Sequence, residues 1–585
     1  MIKKTKKKTA ASKSRKSVIQ TDSASQNKPS LSLKEFEKKN LFVARCIFLI
    51  VSAIFIFMIF KNISYPLFWA DESMTAVGAQ RVLEFGYPKV HDGKNVFYDL
   101  RHSNPTLGID PATDAYIGGT GWGHYYYGAL GEWFAKDIDD LYVKTGIIRY
   151  PFAFLGIAGL FLFVGMLTML FEGRFSKYAF AAGFVFLCLM SISLGLHLRQ
   201  ARYYALVIFS ASTLCGVYII HRFLKKLNPH AATLIIAALL LMLFISFAPT
   251  YFIFLLALVL SEAAMIMSDC INKRPFKSIM QGSMGTALGM IVSLLIAYPL
   301  LSYFKIFEIS EAMAKFNNYD TQMYWENIGT IFRYFENYEM LWLFLSFKVL
   351  LLFNLKRLDK TSRLLQSSLF LTLTCVLFCL LIARVPNFIF TRYIIYIQPL
   401  ISAGILLDLL ILWQANQKKP AAMLLPISIF VVCIFMNAFS TFQYHSGRLA
   451  ELFEPYKGPL DYTIPFIRDK YKNTESLVIA ANYEETSYMY YLNCKAVVGY
   501  TGNNLAEDAQ TVPDIICYRK SWGNFRDIFE EYFKKANYQK RSFDVFDNPV
   551  NNIPELNFRP PFNHRFKTQM AKSEKEAAVI YCKSD

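Results

Sequence analysis

The sequence predicts a polytopic α-helical membrane protein of about eleven transmembrane helices, followed by a C-terminal extracytoplasmic α/β domain. Three observations lead there. First, 54% of the 585 residues are hydrophobic, 16% are aromatic and only 18% are charged, with a mean hydropathy of +0.28; this is far too apolar for an ordinary soluble chain. Second, apolar runs of spanning length alternate with connections, and every second connection carries Lys and Arg, as cytoplasmic loops do. Third, after about His445 the spanning runs stop, and short strand-like and helical segments alternate instead.

The net charge of +18 raises nucleic acid as a partner, and its distribution argues against one. Residues 1–40 hold twelve Lys or Arg against three acids, half of the total excess. This polar tail has no apolar periodicity and is expected to be disordered. Placed just ahead of a span, its charge retains the N-terminus on the cytoplasmic face. No RNA-binding motif or aromatic-basic platform accompanies it, so no nucleic acid is expected.

Behind the tail, the apolar run 41–60 is long enough to cross a bilayer and has no small-residue cleavage site after it, so it stays as a helix. Further runs fall at 148–171, 178–198, 203–222, 231–246, 251–268, 284–303, 340–355, 364–383, 393–412 and 421–442. The cationic connections are marked by Arg174 and Lys177, by Arg222, Lys225 and Lys226, by Lys273, Arg274 and Lys277, by Lys356, Arg357, Lys360 and Arg363, and by Lys418 and Lys419. This asymmetry predicts a membrane domain over 41–442, with the loops 61–144 and 304–339 and the domain 443–585 all outside. The loop 304–339 contains two segments, IFEISEAMAKF and IGTIFRYFENY, that are amphipathic at helical spacing and expected in the headgroup region.

Chemistry-bearing residues gather at the outside edges. Asp71 and Glu72 follow the first span directly, ahead of a segment with helical spacing that ends at Gly86, which places both on a helix's first turn. Free N–H groups there stabilise an ionised carboxylate. Farther along, the Gly-aromatic cluster 121–127 contains His124 and Tyr125, taken as acceptor or loop residues; interfacial tyrosines are also the ordinary aromatic belt of a membrane protein. Arg199 and Arg202 stand in one very short outside turn, and Arg384 and Arg392 flank another. Arginines at a helix end often snorkel, but four on the face that avoids positive charge point to an anion, and the planar guanidinium suits a phosphate.

Four motifs in order, WADES after the first span, GHYYYGAL then IIRYPFAFLGIAGL at the second, LRQARYYAL before the fourth and TRYIIYIQPL near the end, give the region from about Leu41 to Trp413 its likeness. It resembles the GT-C membrane glycosyltransferases, in particular their bacterial protein O-mannosyltransferase-like and ArnT-like branch. The resemblance implies a GT-C-like fold in the cytoplasmic membrane and an enzyme that takes a sugar from a polyprenyl-phosphate carrier and gives it to an acceptor. It further implies Asp71 as general base with Glu72 as its neighbour in an acidic pair, and Arg202, Arg392 and Tyr393 as donor-phosphate residues; Arg199, in the same short outside turn as Arg202, is placed with them by its position.

Chemically such a transfer needs little machinery. The lipid phosphate is already a good leaving group, so a carboxylate to take the acceptor's proton and a few cations for the phosphate suffice. A single carboxylate predicts inversion at the anomeric carbon. The chain departs from the resemblance at Ala248-Pro249-Thr250-Tyr251, where some members carry a metal-binding His-Tyr. A divalent metal is therefore left without a clear ligand set, and the cofactor is unknown. The WWD signature of oligosaccharyltransferases is also absent. A transporter or flippase of a lipid-linked sugar is the alternative, though it should carry charge within interrupted helices at the midplane. The sugar and the acceptor are not written in the sequence.

In the C-terminal segment, strands are expected at 476–481, 496–499, 514–518 and 578–582, and helices at 483–492 and 524–536. No G-x-G-x-x-G or P-loop occurs, which leaves a cap over the acceptor path as its plain role. Ten cysteines are present, seven in or beside spans; Cys494, Cys517 and Cys582 lack CxxC spacing and allow at most one bridge.

Overall fold

The computed structural model describes residues 33–97, 108–118, 121–316, 320–358, 362–385, 389–417, 419–498, 505–520, 525–547, 554–556 and 564–584. Most of the basic tail, with its expected disorder, lies outside the described residues.

Helix α1 (Leu33–Phe60) leads into the short α2 (Ala70–Phe85) and α3 (Gly123–Ala135). Then follow α4 (Leu141–Thr168), α5 (Arg174–Met190), α6 (Ile192–His197), α7 (Tyr204–Ile219, extended by a π-turn to Leu224), α8 (Pro229–Ser246), α9 (Ala248–Ile271) and α10 (Phe276–Tyr303). Helices α11 (Ile306–Phe316) and α12 (Thr321–Tyr338) precede α13 (Leu341–Phe353), α14 (Arg363–Ile382), α15 (Gln398–Ala415) and α16 (Leu424–Ser440).

Nine helices among the described residues are long and apolar enough to cross a membrane. Two of the eleven predicted runs differ. The run 178–198 breaks at Ser191, whose hydroxyl turns back to accept from the Leu194 N–H (3.3 Å) and starts α6. The run 340–355 yields only the 13 residues of α13, short of the about 20 needed to span. Depth in the bundle follows composition: α7 and α15 are polar-poor on all sides and sit centrally, 83% and 89% buried, whereas α1 and α16 are 22% and 17% buried and present apolar faces to lipid. The loop helices α11 and α12 form where amphipathic spacing predicted them.

Beyond α16 come α17 (Phe442–Glu451) and α18 (Leu460–Lys470), then a five-stranded sheet with β1 (Val478–Ala481), β2 (Lys495–Val497), β3 (Ile515–Cys517), β4 (Tyr538–Phe546) and β5 (Ala577–Lys583) in the order β2-β1-β3-β5-β4. β1 pairs in parallel with β2 and β3, and β5 antiparallel with β3 and β4. Helix α19 (Glu485–Leu492) makes the β1–β2 crossover. β4 was not foreseen. The chain is thus a polytopic membrane protein with a C-terminal α/β domain. All ten cysteines are free thiols.

The domain is fastened to the loop behind α1. Ser487 Oγ donates to the Phe68 carbonyl (2.8 Å), the Thr486 and Ser73 hydroxyls share a hydrogen bond (2.7 Å), and Tyr491 Oη accepts from the Phe68 N–H (3.0 Å). Asp461 Oδ1 accepts from the Leu67 N–H (3.0 Å), and Tyr490 donates to Glu132 (2.7 Å). Burial pushes the Asp461 carboxyl up to about 6. Helix α19 therefore lies directly on the N-terminal half of α2.

Candidate active site

Helix α2 starts without a side-chain cap and carries Asp71 and Glu72 in its first turn; it ends at Gly86, whose φ of 83° is the left-handed closure glycine favours. Successive residues on a helix point about 100° apart, and the two acids meet different surroundings. Glu72 is fully buried and takes a two-pronged contact from Arg149 of α4, Nε to Oε1 at 2.9 Å and Nη2 to Oε2 at 2.7 Å. Its Oε1 also accepts the Ala201 N–H at 2.8 Å. Glu72 thereby ties α2 to α4 and to the α6–α7 turn, and fixes where the next residue, Arg202, stands.

Asp71 is 31% exposed on its side chain and faces two guanidinium groups through one oxygen, Arg392 Nη1 at 3.0 Å and Arg202 Nη2 at 3.8 Å from Oδ2. Arg202 also donates to Thr75 Oγ1 (3.2 Å). Burial by itself would lower both guanidinium pKa values, but the Asp71 carboxylate beside them holds them above their ordinary value, so both stay charged. Arg392 lies over the rings of Phe390 (4.4 Å), Tyr393 (5.4 Å) and Trp69 (5.6 Å), so Tyr393 forms part of its aromatic wall.

Several donors here lack an acceptor. Arg202 Nε, Trp69 Nε1, and the hydroxyls of Tyr204 and Tyr396 are buried without a hydrogen-bond partner. Tyr204 and Tyr396 lie within electrostatic reach of Arg392. Each orphaned polar group costs about 1–3 kcal/mol, and these four leave unused hydrogen-bonding capacity beside the Arg202 and Arg392 charges.

Arg199 binds Glu451 Oε2 (2.7 Å) and the carbonyls of Lys61 (3.2 Å) and Asn62 (2.9 Å), joining α17 to the end of α1. Arg384 lies over Tyr324 of α12 (5.1 Å). Tyr125 packs in the core, its ring so close to Gly78 of α2 that a Cβ there would stand 2.4 Å from Cδ1. His124 is buried between Tyr125 (4.0 Å) and Tyr203 (6.0 Å). Burial and then the charge of Arg202 hold its imidazole neutral, well below the ordinary range.

Glu555 completes the cluster and was missed by sequence reasoning. Its Oε2 lies 3.7 Å from Arg392 Nε, its Oε1 accepts from the Thr391 hydroxyl and stands 3.6 Å from His197 Nε2. Burial would raise this carboxyl, but His197, Arg392 and Thr391 overcome it and hold it below its ordinary value. Glu555 arrives from a segment more than 150 residues away with no periodicity or motif to announce it. Arg149 stood inside a quoted motif, but only its buried partner shows its task.

Among the described residues no group of three His, Cys, Asp or Glu side chains is arranged to hold a metal ion. Asp71 faces two guanidinium groups, a surrounding of the wrong sign for a divalent cation. Near His124, an apolar groove of about 760 Å³ runs between α3, α8 and α10, lined by Trp122, Tyr126, Met242, Ile245 and Phe304.

The fold and this edge cluster define a multi-pass membrane protein whose polar site is built where the bundle meets its α/β domain. No family model matches the sequence, and no curated protein matches it either. Among solved structures, the chain is similar to ArnT from Cupriavidus metallidurans in the apo state, at 11% identity and a TM-score of 0.50, over 92% of this chain and 97% of that one. The structure of the same protein bound to undecaprenyl phosphate superposes with a TM-score of 0.48 at 10% identity, over 94% and 98% of the two chains. The fold is thus the one that the motif resemblance implied.

Proposed function

We propose that the chain is an inverting glycosyltransferase that moves a sugar from a polyprenyl-phosphate carrier to an acceptor hydroxyl on the outer face of the cytoplasmic membrane. The observation that carries this reading is Asp71, a partly exposed carboxylate on a helix first turn, faced by Arg202 and Arg392 among buried donors that lack acceptors. The donor's phosphate takes Arg202 and Arg392, and its oxygens fill the empty hydrogen-bonding positions of Arg202 Nε and the neighbouring hydroxyls. Its apolar tail has room in the groove beside Trp122 and Ile245. Asp71, released from the guanidinium groups, accepts the proton of the acceptor hydroxyl. The acceptor oxygen then bonds to the anomeric carbon while the carbon–phosphate-oxygen bond breaks, and the electron pair leaves on the phosphate between the two arginines.

Glu72, Arg149 and Arg199 act as positioning residues in this scheme. The shared fold with ArnT and the motif order support the reading, and the cationic connections at the opposite end support the outer-face assignment. The test is purified protein given a polyprenyl-phosphate sugar and candidate acceptors. Acceptor-dependent release of polyprenyl phosphate is expected, with inverted anomeric configuration by NMR; sugar lipid crossing vesicles intact, with no polyprenyl phosphate released, would make the protein a transporter.

A further inference from the structure

At the end of the bundle away from Asp71, a pocket of about 470 Å³ opens between α1, α4 and α5. Its rim is built from three cations, Arg45 of α1 and Arg174 and Lys177 of α5, and its wall from Phe48, Phe161 and Tyr178. Among the described residues none of the three cations forms an ion pair with a carboxylate; the nearby Glu172 is exposed and pairs with none of them. Arg45 lies over the Tyr178 ring at 5.1 Å. Arg174 and Lys177 are neighbours one turn apart on the first turn of α5, where no acid stands and the helix dipole adds to their positive field.

At Arg222 of the same bundle end, by contrast, Glu262 and Asp269 fill the guanidinium's contacts. Here Arg45 and Arg174 are exposed and Lys177 is half-buried, so the three cations over their aromatic and aliphatic wall are open to a negative group from outside the protein. Gly165, on the α4 side of the pocket, has nothing within 4 Å of where a Cβ would stand, so the backbone leaves open space there. Cationic rim, aromatic collar and apolar floor follow one another from the end of the spans inward, which is the order of phosphate, glycerol and acyl chain in a phospholipid.

We infer that this pocket binds one anionic phospholipid, with the headgroup phosphate on Arg45, Arg174 and Lys177 and an acyl chain along Phe161 and the gap at Gly165. The site is separate from the donor site: Arg45 lies 15 residues before the end of α1, about 22 Å along the helix, and α4 and α5 run the same distance back toward Arg149 and His197. A lipid held there fastens α1, which is little buried in the protein, to α5.

The experiment is native mass spectrometry and thermal unfolding of the purified full chain with phosphatidylglycerol, phosphatidylcholine or inorganic phosphate. Wild type should retain one phosphatidylglycerol per chain, about tenfold in preference to phosphatidylcholine, and gain thermal stability from it, on the scale set by ligand linkage. Arg174→Gln with Lys177→Gln should lose that preference about tenfold. Gly165→Leu, whose Cβ would have no heavy atom within 4 Å, should expel the lipid while the chain stays folded, the latter read from its thermal unfolding without lipid. Equal retention of the two lipids by wild type, or undiminished phosphatidylglycerol binding in both variants, would overturn the inference. So would displacement of phosphatidylglycerol by millimolar inorganic phosphate together with normal binding in Gly165→Leu, since the ligand would then be a free anion.

Discussion

Two acid–arginine clusters lie at opposite ends of the helical bundle, and they are built differently. Around Arg222, Nε meets Glu262 at 3.0 Å and Nη2 meets Asp269 at 2.7 Å, Asp269 binds Arg274 at 3.0 Å, and Tyr218 donates to Glu262. Both acids and Arg222 are buried. Every strong group there has its partner, and the cluster holds α7, α9 and the connection after α9 together. Around Asp71 the carboxylate is 31% exposed, its contacts run through one oxygen, and Arg202 Nε is left without a partner. Closed networks hold helices in place; an open one, with donors left unsatisfied, keeps capacity for a further partner.

Breaking the open cluster should cost activity, and breaking closed contacts should cost stability. The largest effect is expected for Asp71→Asn, which keeps the shape and removes the proton acceptor: turnover should fall by about a hundredfold or more, read as polyprenyl phosphate released per minute. Next come Arg392→Ala and Arg202→Ala, each expected to lower turnover by several-fold to a thousandfold, on the order of 1–4 kcal/mol. Arg392 should matter more, because it stands 3.0 Å from Asp71 and Arg202 stands 3.8 Å away. Normal turnover in both folded variants would separate the arginines from the phosphate.

Glu72→Gln sharpens the contrast between neighbours. It leaves the buried Arg149 charge without its partner, which should cost about 3–5 kcal/mol of stability, with a smaller loss of turnover per folded molecule than Asp71→Asn shows. Arg222→Gln should behave likewise with activity per folded molecule unchanged. Thermal unfolding measured beside turnover distinguishes the two kinds of loss.

The smallest effect concerns pH. Glu339, between α12 and α13, is buried and its carboxyl is pushed up to about 7 by that burial, against the hydroxyls of Ser193, Ser191 and Tyr334. A carboxyl that binds its proton more tightly when folded stabilises the protein at low pH, and this contribution is lost as pH rises from the unfolded value, about 4.5, through about 7. Glu339→Gln should therefore flatten the decline in thermal stability between pH 5 and pH 7.5, by a contribution on the order of 1–3 kcal/mol. An unchanged slope would remove Glu339 as its source.

Most of the helical architecture was legible because apolar run length and cationic connections are set by the bilayer itself. The break at Ser191 was not, since it depends on Glu339, 148 residues away, accepting from the Ser191 hydroxyl. Strand β4, YQKRSFDVF, escaped because it is an edge strand with most residues exposed, so its pattern carries little apolar alternation. At the site, Asp71, Arg202 and Arg392 could be singled out from their positions at membrane edges, yet nothing in the sequence separates Arg199, engaged by Glu451, from Arg202, which meets Asp71. Glu555 shows the limit most plainly: it joins Arg392 only through the tertiary fold, from a stretch without periodicity.

In the proposed transfer Asp71 takes a proton while Arg202 and Arg392 hold a phosphate, so acid and phosphate share the same guanidinium groups. Binding of polyprenyl phosphate to the purified Asp71→Asn protein, measured beside its turnover, tests this directly. The variant should bind polyprenyl phosphate as tightly as wild type or more tightly, because the competing carboxylate is gone, while its turnover falls about a hundredfold or more. An Asp71→Asn protein that turns over normally, or one that is folded but no longer binds polyprenyl phosphate, would contradict it.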